Sequence, residues 1–202
     1  VGAYTVAILE RDTGVPSLLA ILAGGVVAAL VGAVFGIPSL RVKGLYLAIA
    51  TIAASFILHF VFVHWESVTN GNIGIPVPPA NVFGLELETY TGLYYLVMPV
   101  TVLLVLAAAD LFRTRIGRAF IAIRDRDISA QVLGIPLMRY KLMSFAIASF
   151  YAGVAGGLWA YFFRVVPPDS FPFLLSIFLL VAIIVGGIGT ILGGILGAVF
   201  MT

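Results

Sequence analysis

The stretch RTRIGRAFIAIRDRDISAQVLGIPLMRYK, at positions 113–141, lies between two long apolar runs and carries seven of the chain's eleven Lys and Arg residues. The runs on either side are apolar enough to cross a bilayer, so the sequence predicts a folded basic loop on one face of a membrane. The rest of the chain has the same character: 62% of residues are hydrophobic, 10% are charged, and the mean hydropathy is +1.17. A water-soluble domain carries about 25% charged residues. A chain of 202 residues with this composition cannot coat a globule with polar surface. The period-two alternation of a transmembrane barrel is absent, so the fold class is all-α, a polytopic transmembrane helical bundle.

Five complete spans are expected near 17–37, 45–65, 93–112, 142–163 and 173–188. Each approaches the roughly 20 residues that cross about 30 Å of hydrocarbon. The chain opens (VGAYTVAIL) and closes (GGILGAVFMT) inside further apolar runs, read as truncated spans at both ends of a fragment. The whole of 1–202 is then one transmembrane domain. Loops 38–44 and 113–141 hold nine of the eleven basic residues, including Arg41 and Lys43, whereas the outer loop 66–92 holds none. The excess of Lys and Arg puts the first pair of loops in the cytoplasm. Tyr46, Trp65, Tyr94, Tyr95, Trp159 and Tyr161 lie near span ends, where amphipathic rings favour the headgroup region. There is no cysteine, which excludes a disulfide or a thiolate metal site.

Within the basic loop, Asp127 is placed to cap a short helix over 128–133, with Gly134 as a left-handed stop and Pro136 discouraging continuation. Another turn or two is expected over 119–124. Such a loop can grip anionic lipid by charge alone. A cap, a stop and the small residues Ser129 and Ala130 suit instead a close docking surface for a protein.

The segment GRAFIAIRDRDISAQVLGIPLMRYK resembles the cytoplasmic coupling loop of ABC importer permeases, and in particular the branched-chain amino acid permease family in its longer, M-type subunit. The matching residues are Gly117, Arg118, Ala119, Ala122, Ile123, Arg124, Asp125, Asp127, Ala130, Leu133, Gly134, Ile135, Tyr140 and Lys141. The likeness continues in RVKGLYLAIATIA at 41–53, TNGNIGIP at 69–76, SFPFLLSI at 170–177 and GGIGTILGGILGA at 186–198, and so covers most of the chain. It implies a multi-pass permease of a bacterial or archaeal inner membrane. Its partners would be a second permease, two cytoplasmic ATPases, an extracytoplasmic binding protein and membrane lipid, with no nucleic acid. Coupling to the ATPase is expected at Arg118, Arg124, Asp127, Ser129, Ala130, Gly134 and Lys141. The chain is not itself the enzyme: a phosphate-binding loop needs Lys before Ser or Thr, and its lysines precede Gly44 and Leu142. No cofactor is expected on this chain; ATP and magnesium would sit on the partner ATPase.

For a substrate path, Thr51, Ser55 and His59 recur at i, i+4 and i+8, one stripe of the second span. Polar groups at membrane depth line pathways or pair with other helices, although Ser and Thr also bond back to the preceding turn. His64 falls at the interface, and neither His has the companions of a metal site. The outer loop is long for a simple connection. Its Asn70 and Asn72 are candidates to meet an amino acid's charged groups or the binding protein, or they belong to a lid. Gly153 with Gly157, and Gly193 with Gly197, have the G-x-x-x-G spacing of closely packed helices. The cluster Gly186, Gly187 and Gly189 permits a break between half-spans; close packing is the preferred reading.

Two other classes fit less well. An intramembrane protease needs a nucleophile beside a base, but Ser144, Ser149 and Ser176 lack a G-x-S-x-G setting and both His residues are near the outer face. A channel or ion-coupled carrier is the other, yet the only acid assigned to the spans is Asp110, at the cytoplasmic end of the third. The resemblance implies branched-chain amino acids as the substrate, with urea or short amides, carried by related permeases, as the alternative.

Overall fold

The computed structural model describes residues 1–39, 45–82, 85–87 and 89–201. Arg41, Lys43 and Glu88 lie outside them. Among the described residues are helices α1 (Gly2–Thr13), α2 (Ser17–Ser39), α3 (Leu45–His64), α4 (Glu66–Thr69) and α5 (Tyr90–Arg113). They are followed by α6 (Arg115–Asp125), α7 (Asp127–Val132), α8 (Leu137–Phe163), α9 (Phe173–Gly186) and α10 (Ile191–Met201). Four segments are long and apolar enough to span a membrane: Ser17–Ile37, Tyr90–Arg113, Leu137–Phe163 and Pro168–Gly186. A fifth is bent by 77° between Ile49–His64 and Glu66–Ile73.

That bend has a local cause. Trp65 leaves the helical region, and Thr69 Oγ1 donates to the carbonyls of Phe62 (2.6 Å) and Trp65 (2.8 Å). One hydroxyl thus caps the end of α3 that would otherwise be left with open carbonyls. Beyond it, Gly74 lies so close to Val166 and Pro167 that a Cβ would meet backbone at 2.7 Å, and its φ is +79°. This admits β1 (Ile75–Pro76) beside β4 (Val165–Val166), antiparallel. A second pair, β2 (Ala80–Val82) and β3 (Leu85–Leu87), completes the cover. The all-α bundle therefore carries two small strand pairs on the side away from the basic loop.

The core lies where α1, α2 and α8 meet, around Val6, Ile21, Val154 and Tyr161. Glycines set the spacing. A Cβ on Gly153 would meet Ala28 Cβ at 2.5 Å and the Gly24 carbonyl at 2.9 Å, so only a residue without a side chain allows this approach of α2 to α8. Helix α8 begins at Leu137, directly after Pro136, so Arg139, Tyr140 and Lys141 form its first turns rather than loop. Helix α9 stops at Gly186, two residues before the expected end of the fifth span.

Candidate functional site

The basic segment folds as two consecutive helices. Thr114 caps α6 by accepting a hydrogen bond from Gly117 N (3.3 Å), a signal that the sequence reading passed over. Gly117 is buried with its Cα against Leu111 and Phe112 backbone, which turns α6 sharply off the end of α5. The break comes at Arg126, in extended geometry, so α6 runs over 115–125 and is longer than the turn or two expected. Asp127 is the first residue of α7, not its cap; its carboxylate lies 3.9 Å from Lys141 Nζ on α8. The other end closes with Gly134 at φ +81°. Gly134 N donates to the Gln131 carbonyl and Ile135 N to the Ala130 carbonyl, the paired bonds of a Schellman stop.

This geometry divides the loop residues into two faces. Ala130 is 2% exposed and turned toward the protein, where α6 and α8 pack on α7. It is thus not on the docking surface assigned to it from sequence, because its small side chain is what lets α7 lie close. Ser129 stays exposed. The outward face is apolar: Ile128, Val132 and Leu133 are 72%, 83% and 79% exposed. Apolar residues at i and i+4 inside a charged loop were the overlooked signal. Arg118 is exposed and donates to the Arg113 carbonyl (3.1 Å), and Arg124 Nε donates to Asp125 (3.1 Å).

Arg124 has a second contact. Its guanidinium rests over Gly189, where a Cβ would displace the end of the arginine side chain, and with Phe112, Phe120, Ile121, Thr190 and Ile191 it lines a pocket of about 280 Å³. Gly187 (φ +114°) and Gly189 (φ +86°) make the turn between α9 and α10. Thr190 Oγ1 accepts from Gly193 N (3.0 Å) at the start of α10. The two helices fold back on each other, with Gly186 against Gly193 and Gly197 against the Ala182 carbonyl. The same glycine cluster thus contains both a turn and a close helix contact. Gly157, in α8, packs on Val6 of α1.

The stripe on α3 joins two cavities. Thr51 and Ser55 line one of about 320 Å³ between α2, α3 and α8, together with Ser149. Ser55 and His59 line another, of about 340 Å³, with Asp169 and Ser176. Ser55 Oγ donates to the Ile52 carbonyl (2.7 Å), the back-bond expected of a helical serine. His59 Nε2 is 3.9 Å from Asp169 Oδ1. His64 stacks on Phe60, apart from this pair. Asn70, in left-handed geometry, ends α4, and exposed Asn72 sits in the 3-10 turn Gly71–Ile73. No metal-binding group of three His, Cys, Asp or Glu occurs among the described residues.

One polar cluster was missed. Glu10, only 8% exposed, accepts from Ser17 Oγ (2.6 Å) and Tyr161 Oη (2.5 Å), and Ser17 Oγ accepts from Asn81 N (2.7 Å). Tyr161 is therefore a buried hydrogen-bond donor and not a belt residue. Glu10 stands beside Arg11 and Asp12, and nothing local in the sequence marks it as buried.

Apolar spanning helices, glycine-mediated packing and a basic loop folded into two short helices define a multi-pass helical membrane protein. The family model for the permease component of the branched-chain amino acid transport system matches residues 1–202, and the chain belongs to that family. It is 32% identical over 225 residues to the high-affinity branched-chain amino acid transport permease LivM of Salmonella typhimurium, and equally to that of Escherichia coli K12. Each alignment takes in 100% of this chain and 53% of the relative, so the chain spans about half the length of these proteins. It is also 29% identical over 184 residues to the autoinducer 2 import permease LsrC of Enterobacter sp. strain 638, covering 87% of this chain and 51% of that one. No solved structure matches.

Proposed function

We propose that the chain is the membrane-spanning part of a permease subunit in an ATP-driven importer of branched-chain amino acids, in a bacterial or archaeal inner membrane. The observation that carries the proposal is the α7 face of Ile128, Val132 and Leu133, held out on a capped helix on the basic side of the bundle. A lipid anchor needs only charge and a hydrophobic face. Here the face belongs to a six-residue helix and the residue that ends it, closed by the glycine stop and with Asp127 3.9 Å from Lys141 at the other end. A short helix with a defined stop and an exposed apolar face suits docking into a cleft of a cytoplasmic ATPase, which would bind ATP and magnesium. ATP-driven closure would reach the spans through α6 and α7. A second permease would complete the path, and an extracytoplasmic binding protein would deliver the ligand. Family membership and the names of the 32%-identical relatives support the substrate class. Urea or short amides are the second reading for the substrate, and an ATP-independent carrier for the energy source.

The test is affinity purification of the full-length protein in mild detergent with its genomic neighbours, followed by an ATPase assay. Co-purification of an ATPase, and its release by Gly134→Pro, is the expected result. An intact protein that retains no ATPase would return the loop to the lipid-anchor reading.

A further inference from the structure

The cavity around His59 and Asp169 has a composition that packing alone does not call for. Its walls are Phe56, Phe171, Pro172 and Phe173; its polar groups are Ser55, His59, Asp169 and Ser176. Asp169 sits in the short 3-10 turn Pro168–Ser170 that leads into α9, and His59 on α3 faces it at 3.9 Å. Both stay accessible, at 83% and 45% of their side chains. A carboxylate turned to lipid is costly, so this face is suited to water or a polar ligand. The third polar element is backbone. Helix α9 starts at Phe173 behind Pro172 with no side-chain cap, and its first residue lines the same cavity. The Leu175 amide is taken by the Pro172 carbonyl (3.0 Å), so the Phe173 and Leu174 amides and the positive end of the helix dipole are what attract an anion there.

An acid, an uncapped helix start and aromatic walls match the three parts of one ligand class. We propose that this cavity is a receiving site for a zwitterionic aliphatic amino acid on the side away from the basic loop. Asp169 takes the α-ammonium, the first turn of α9 takes the α-carboxylate, and Phe56, Phe171 and Phe173 surround the hydrocarbon side chain. The volume of about 340 Å³ leaves space for a solute of this class. The inference rests on the branched-chain amino acid reading and sharpens it, because neutral urea carries no carboxylate for the start of α9 to attract. It also gives the Thr51–Ser55–His59 stripe a direction: Ser55 borders both this cavity and the one that reaches Thr51 and Ser149.

The experiment uses the complete importer, with both permeases, the ATPases and the binding protein, in proteoliposomes. It measures ATP-driven uptake of radiolabelled L-leucine and labelling by a diazirine analogue of leucine. Asp169→Asn should lower uptake about tenfold, the loss of one charge-assisted hydrogen bond, while ATP hydrolysis stimulated by the loaded binding protein persists. Asp169→Glu should recover most of the uptake. The diazirine should label the peptide spanning 168–176 in the wild type and not in Asp169→Asn. Wild-type uptake by Asp169→Asn, or lost uptake with unchanged labelling, overturns the site and leaves the importer reading intact. A wild-type importer that hydrolyses ATP but carries no leucine overturns the substrate reading and the site together.

Discussion

Ala130 and Ile128 lie two residues apart on one short helix and have opposite duties. Ala130 is packed inward, whereas Ile128 and Val132 project outward. Ala130→Arg would force a long charged side chain into packed space, at a cost of about 1–3 kcal/mol or more. It should lower the thermal midpoint of the purified protein as well as its retention of an ATPase. Ile128→Asp and Val132→Asp should leave the midpoint unchanged and still release the ATPase, because they alter only the exposed face. Thermal unfolding in detergent, run beside the pull-down, separates the two classes. A midpoint drop for Val132→Asp equal to that for Ala130→Arg would contradict the assignment of faces. Glu10 is the other instructive residue. Tyr161→Phe removes one of the two donors to its Oε1 and keeps the ring, so it should destabilise by about 1–3 kcal/mol. Thermal unfolding checks this, and no loss would mean that the hydroxyl is dispensable to the packing.

Between elements, the contact of greatest consequence joins α6 to the α9–α10 turn. Arg124 lies over Gly189, which itself needs a positive φ. Beyond that contact the helices of the α9–α10 hairpin touch backbone to backbone at Gly186, Gly193 and Gly197. Gly189→Ala should retain the ATPase but lower uptake. Adding Arg124→Ala should restore part of that loss, since the steric conflict disappears while the backbone strain stays. A double-mutant cycle on uptake rate measures the interaction; strict additivity would show that the two sites act independently. A second element-scale expectation concerns α2 and α8. Gly153→Val places side-chain atoms where Ala28 and the Gly24 carbonyl already are, and should reduce folded protein in the membrane several-fold through overpacking. Expression followed by size-exclusion chromatography reports it.

At the scale of the whole molecule, the alternation of basic and acidic loops makes a simple prediction. Single cysteines introduced at Ser67 and at Arg126, in a full-length protein with any other cysteines replaced, report topology. A membrane-impermeant maleimide should label the first from outside intact cells and the second only in inverted vesicles; labelling of both from one side would break the topology. Much of this was legible in the sequence for a physical reason. Lipid offers no partner to a backbone amide, so long apolar runs must be helices, and the K/R asymmetry orients them. Local chemistry also fixed the stop at Gly134, because a left-handed residue and a following proline depend on near neighbours alone. What the sequence could not settle depends on which helices meet. Only packing against α6 and α8 turned Ala130 inward, and only the meeting of α1, α2 and α8 buried Glu10 against Tyr161 and Ser17. Likewise, Asp169 and His59 are more than a hundred positions apart in the chain and became one site through the fold. In lipid, apolar periodicity marks which segments span but not which faces touch, since lipid tails are as apolar as the core. The sequence therefore determined the spans and the glycine stop in the basic loop; the tertiary structure decided the inward faces, the glycine contacts and the cavity that joins α3 to α9.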